Sequence, residues 1–72
     1  MPKLPRLKPK EAMRALERAG FVLERTKGSH SIFIKGKHRV TVAFHNKDMR
    51  HKTVRSMIEQ TGLTVEEFRK LL

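Results

Sequence analysis

Seventy-two residues without a cysteine make a small domain with little core to spare, no disulfide framework and no thiolate metal site. Lys and Arg number 17 against 7 Asp and Glu, a formal net charge of +10; nine of the cations lie between Arg25 and Arg55, with one acid (Asp48) and all four histidines. So concentrated a positive field marks a polyanion partner, although a basic surface that serves only solubility is the plainer reading of the same charge.

No run of about 18 apolar residues is present to span a bilayer. No helix joins a wide apolar face to a basic one, as a membrane-surface helix does. Met1 to Arg6 is basic but has no apolar core, so it does not read as a secretory signal, and a cytoplasmic protein is expected.

Residues 1–8, rich in Pro and Lys, read as an extended basic arm. Pro9 suits the first turn of a helix, and Ala12, Met13, Leu16 and Ala19 share one helical face. With Gly20 as a natural C′ stop, a helix is expected over Pro9–Ala19. Phe21–Arg25 reads as a strand, followed by a three-residue loop, Thr26-Lys27-Gly28, with Gly28 in the left-handed conformation. His30–Lys35 is the second strand. Gly36-Lys37 places its glycine first, as a two-residue type II′ turn requires, and leads into a third strand, His38–Phe44, rich in β-branched residues.

That second turn sets Lys35 opposite His38, Phe33 opposite Val40 and Ser31 opposite Val42. The three-residue first loop sets Arg25 opposite Ser29. One face then carries Phe21, Leu23, Phe33, Val40, Val42 and Phe44 and is expected to meet the helices. The other carries His30, Ile32, Ile34, Arg39, Thr41, Ala43 and His45 and is expected to stay open. A slip of one residue exchanges the two faces.

His45 to Arg50 is polar and reads as a loop. Val54, Met57, Ile58 and Thr61 repeat at helical spacing, with Arg55 and Glu59 paired on the outside. A second helix is therefore expected over Lys52–Thr61, stopped at Gly62. Thr64 and Glu67 have the spacing of a capping box that opens a last short helix, with Val65, Phe68 and Leu71 turned inward. The fold class is α+β: a three-stranded antiparallel sheet with helices packed on one face, in the order α-β-β-β-α with a short C-terminal helix, as a single domain over residues 1–72.

The chemically informative segment is Lys27-Gly28-Ser29-His30, followed by Ile32-Phe33-Ile34. It sets an imidazole at the start of a strand, beside a glycine turn and among cations. A small protein can hold a general acid or base against an RNA phosphate in such a place. RNA carries its own nucleophile, the 2′-OH. Cleavage therefore needs a base, an acid for the leaving 5′-oxygen, and cations for the charge that develops on phosphorus. That chemistry requires neither a metal nor another cofactor, and the sequence has no carboxylate cluster to hold a metal. The plainer reading of His30 is an exposed strand-edge histidine that touches phosphate only.

Further segments fall in one order around that one: Leu16-Glu17-Arg18-Ala19-Gly20-Phe21, then Lys27-Gly28-Ser29-His30 with Phe33. Val40-Thr41-Val42 and His45 come next, then Thr53-Val54-Arg55-Ser56-Met57-Ile58 running to Gly62-Leu63. In these segments the chain resembles the HicA toxins, small ribonucleases of toxin–antitoxin pairs with a double-stranded-RNA-binding-like α-β-β-β-α fold. The Gly-Ser-His segment is the specific part of the likeness. The resemblance implies an mRNA interferase, a metal-independent endoribonuclease whose catalytic histidine maps onto His30, and a cognate HicB-like antitoxin that blocks the active surface. Family members often have Gly before the Thr of the second helix; this chain has Lys52, which adds charge there.

Around His30, the expected register puts His45 one diagonal step away on the open face, about 7–8 Å off. That is room for a phosphate between two imidazoles, although a strand-end histidine that fixes the loop is the simpler reading. Lys27, Arg39, Lys47 and Lys52 are candidate RNA contacts, each equally readable as a solvated charge. Gly28 allows a backbone to approach closely, and the Ser29 hydroxyl or backbone is placed to touch phosphate. His38 reads as solvated at the hairpin tip, and His51 as an RNA contact or a plain loop residue. The four Phe read as core and there is no Trp or Tyr, so strong base stacking is not expected. Two further readings remain. One is a non-catalytic double-stranded-RNA-binding-like module, whose affinity depends on many cations and collapses with salt. The other is a basic adaptor for an acidic protein.

Overall fold

The computed structural model describes residues 4–44 and 47–72. Its elements run α1 (Pro9–Arg18), β1 (Val22–Lys27), β2 (His30–Lys35), β3 (His38–Ala43), α2 (His51–Thr61) and α3 (Val65–Arg69). The strands form one antiparallel sheet in the order β1-β2-β3. This is the expected α-β-β-β-α order with a short C-terminal helix.

Helix α1 starts at Pro9, where a missing N–H costs nothing. The Lys8 N–H donates to Glu11 Oε1 at 3.0 Å; a lysine side chain has no acceptor with which to complete the reciprocal half of the cap. At its other end Gly20 takes φ +97°. There Lys35 Nζ donates to the Ala19 carbonyl at 2.6 Å and lies 6.0 Å from the centre of the Phe21 ring. A cation thus sits where the helix leaves its carbonyls unpaired, and it ties the end of β2 to the end of α1. Helix α2 stops at Gly62, φ +79°, where an added Cβ would stand 2.7 Å from His38 Cε1. His38 is therefore half-buried against the end of α2, not solvated at a hairpin tip.

The β2–β3 register is the one the Gly36-Lys37 turn dictates: Lys35 faces His38, Phe33 faces Val40, Ser31 faces Val42 and His30 faces Ala43. The β1–β2 register differs from expectation. Gly28-Ser29 is a two-residue turn with Lys27 opposite His30, in place of a three-residue loop with Arg25 opposite Ser29. Gly28 supplies the positive φ, +59°, at the first turn position. A bulge at Glu24 absorbs the extra residue, so Leu23 comes opposite Phe33, where the expected register sets it opposite Ser31, and keeps its side of the sheet, while Arg25 comes opposite Ile32, on the open face.

Phe33, Val40 and Val42 bury their side chains against Ala12, Ala15 and Leu16 of α1, Val54, Met57 and Ile58 of α2, and Phe68 of α3. Phe21 joins them from just before β1, while Leu23 and Phe44, both expected in the core, are each 49% exposed. Leu23 stands on the outer strand, and Phe44 lies one residue past the end of β3, beyond the cover of the helices. The whole of β1 is exposed. Its charges and its bulge discourage pairing with another edge.

The segment before α1 has neither helix nor strand over residues 4–8, yet Leu7 is only 2% exposed and belongs to the core. The Met49 N–H donates to the Leu7 carbonyl at 2.7 Å, and Arg6 Nε stands 3.9 Å from Asp48 Oδ2. The segment therefore straps down the chain just ahead of α2.

Helix α3 opens on a complete capping box: the Glu67 N–H donates to Thr64 Oγ1 at 3.1 Å and the Thr64 N–H donates to Glu67 Oε1 at 2.9 Å. The Thr64 backbone N–H, and after it the Thr64 side-chain hydroxyl, hydrogen-bond the Glu67 carboxyl and hold it below the usual carboxylate range. In acid the unfolded chain takes up that proton first. The cap's contribution is therefore whole above the usual carboxylate range and is lost as pH falls through the depressed value. Melting curves of wild type and Glu67→Gln are expected to differ at neutral pH and to converge as the pH falls below the usual carboxylate range; a gap unchanged by acid would remove this account.

Candidate active site

His30 is the first residue of β2 and is exposed, while Ser31 and Phe33 beside it are buried. Alternation along the strand puts its imidazole on the face of the sheet away from the helices. Two strands flank it. Lys27 of β1 lies directly opposite on one side and Ala43 of β3 on the other. Directly opposed residues hold their Cβ atoms about 4.5–5.5 Å apart, so an ammonium and an imidazole share one end of the sheet, and the small Ala43 leaves the far side of the ring open.

The Gly28-Ser29 turn joins these two residues. A Cβ at Gly28 would meet nothing within 4 Å, so backbone conformation and not crowding calls for glycine, and the turn stays open to an approaching ligand. The Phe44 N–H donates to the Ser29 carbonyl at 2.6 Å, which extends the β2–β3 ladder by one bond and pins the turn to the third strand. Lys27, Gly28, Ser29 and His30 thus form one rigid end of the sheet.

The other expected contacts are distributed. Arg39 lies opposite Ile34, four residues along β3 from Ala43, or roughly 13 Å from the His30 row. Its Nη2 is 3.3 Å from Glu24 Oε1, and Arg25 Nε is 3.8 Å from the same oxygen. Arg39 shares the open face with His30, and the register that the Gly36-Lys37 turn dictates sets the two at opposite ends of it. Glu24 is held between two guanidinium groups, so the open face keeps its positive excess. Lys47 is exposed in the bend after β3, and His51 and Lys52 are exposed in the first turn of α2, which carries no acid. His45 lies outside the described residues.

One feature of this surface escaped sequence reasoning. Thr41, Lys52, Thr53, Ser56, Met57 and Gln60 enclose a hollow at the seam of β3 and α2. Thr53, Ser56 and Gln60 follow a helical spacing beside the apolar stripe and were legible as a polar stripe. That Thr41 of β3 faces them was not, since it depends on how α2 lies against the sheet edge.

A basic α+β domain with its helices on one sheet face and a His–Lys pair at a glycine turn on the other is a compact surface-acting module. The family described as HicA toxin of bacterial toxin-antitoxin matches residues 9–63, from the start of α1 to just past α2. This chain belongs to the HicA toxin family: it is the toxin of a toxin–antitoxin pair, which implies an antitoxin as its protein partner. A comparison with curated proteins returned no match. The match spans all three strands and His30, and leaves the strap over residues 4–8 and helix α3 outside it. Among the described residues no helix is long and apolar enough to cross a membrane.

Proposed function

We propose that this toxin is an endoribonuclease that cleaves mRNA in the cytoplasm without a metal, with His30 as general acid or base. What supports the reading is the exposed His30 imidazole, in cross-strand register with Lys27 and beside the Gly28-Ser29 turn. His30 takes the 2′-OH proton, or returns one to the leaving 5′-oxygen. His45 is the candidate for the opposite role. Lys27 faces the charge that develops on the phosphate, while the Gly28 and Ser29 backbone lets the strand come close. Lys47 and Lys52 take neighbouring phosphates, and Arg39 one farther along the sheet. The antitoxin covers this face with an acidic surface, since complementary charge is what a basic toxin surface selects.

The test is RNA cleavage by the purified protein in excess EDTA. Cleavage is expected to persist, to rise and fall with pH as an acid–base pair requires, and to stop when the cognate antitoxin is added. Turnover that ends on chelation overturns metal independence. RNA that is bound but left intact favours the non-catalytic RNA-binding reading.

A further inference from the structure

Two hollows on the described surface carry carboxylates: one sets Glu11 beside Arg14 and Arg18, the other Glu66 beside Arg69 and Lys70. The hollow at the seam of β3 and α2 carries none. Its wall is made of hydroxyls and an amide, its cation is Lys52, and its floor is Met57, 2% exposed. It also lies close to the proposed chemistry. Ala43 stands opposite His30 and Thr41 is two residues along the same strand, a diagonal neighbour about 7–8 Å from His30.

We infer that this hollow is the subsite for the nucleotide next to the cleaved phosphate in single-stranded RNA, taking its ribose and base by hydrogen bonds and its phosphate on Lys52. The inference rests on the ribonuclease reading above. Gln60 is its central group. Its Oε1 accepts from the Thr41 N–H at 3.4 Å, and its Nε2 donates to Ser56 Oγ at 3.3 Å. The amide thus takes the Thr41 N–H on the free edge of β3 and links it to Ser56 before any ligand arrives, a preorganisation that lowers the cost of binding. Because Ser56 accepts from Gln60, its own hydroxyl proton remains to be given to a ligand acceptor. Apart from Lys52, each group offered is a neutral hydrogen-bonding one over an apolar floor. That suits the edge of an unpaired base and a 2′-OH, which a protein without stacking aromatics must read by hydrogen bonds.

The test uses single-stranded RNA oligonucleotides that differ in the bases flanking the cleaved bond, with wild type, Ser56→Ala, Gln60→Glu and Lys70→Gln. Gln60→Glu keeps an acceptor for the Thr41 N–H, so that bond to the strand edge is retained, but it sets a negative charge where a phosphate-bearing unit is to sit. Its KM is expected to rise by about tenfold or more while kcat stays within about twofold, and Ser56→Ala to raise KM by about fivefold. Both are expected to change which flanking bases are preferred. Lys70→Gln removes the same unit of net charge at another hollow and is expected to move KM far less. If wild type cleaves, and Gln60→Glu changes neither KM nor preference or changes KM no more than Lys70→Gln, the subsite is overturned and the ribonuclease stands. If wild type leaves every oligonucleotide intact, the ribonuclease reading falls, and the subsite falls with it.

Discussion

Replacing His30 by alanine is expected to lower RNA cleavage by about 10²–10⁴-fold, the usual worth of a positioned acid or base, with folding and RNA binding retained. The fold stays because the imidazole is exposed and is no part of the core cluster; surface changes of that kind move stability by about 0.5 kcal/mol or less. Binding stays because affinity for a polyanion is spread over many cations. On single strands, each phosphate that a cation neutralises adds roughly 0.7 to the slope of log affinity against log salt. Lys27→Ala is the matching control, since it is expected to weaken binding and flatten that slope. The measurement is cleavage rate, filter binding across a salt series and a melting curve for each protein. Equal cleavage by wild type and His30→Ala would place the chemistry elsewhere, with His45 the next residue to change.

Leu7→Ala is expected to cost about 2–5 kcal/mol, as buried leucines do when a cavity is left. That is a large part of the roughly 5–15 kcal/mol available to a domain, and it corresponds to a fall in melting temperature on the order of 10–20 °C or more for a chain of this size. The residue lies before the segment that matches the family and would pass for part of a loose basic tail, yet it is 2% exposed, and its carbonyl takes the Met49 N–H. Its truncation is therefore expected to loosen the chain around Met49, which leads into Lys52 and the seam, as well as the core. Leu7→Met keeps the volume and is expected to cost less than about 1.5 kcal/mol. Hydrogen exchange at the Met49 amide, read alongside denaturant unfolding, checks both effects; a melting temperature unchanged in Leu7→Ala would show that the strap contributes nothing.

The second hairpin was legible to the residue because Gly36-Lys37 states its turn type, and a two-residue turn leaves no freedom in pairing. The first was not. Gly28 fits a three-residue loop with glycine last as well as a two-residue turn with glycine first. The choice depends on whether a bulge upstream restores the alternation, and a bulge at Glu24 has no local signature. With that bulge Leu23 keeps its side of the sheet and Arg25 changes sides. Leu7 was missed for a related reason: a single apolar residue between prolines and cations has no period to reveal it.

The sequence by itself determined the element order, the ends of α1 and α2 to within one residue, the pairing of β2 with β3, the basic field and the exposed position of His30. All of these follow from short-range signals: glycine at positive φ, hydrophobic period and charge count. Only the tertiary structure decided that Lys27 stands across from His30 and that Arg39, at the far end of the same face, pairs with Glu24. Packing alone also joined Thr41 to Ser56 and Gln60 and drew Leu7 into the core. Each of these pairings joins residues distant in the chain, and which distant groups meet is set by strand register and helix packing, which no local pattern encodes.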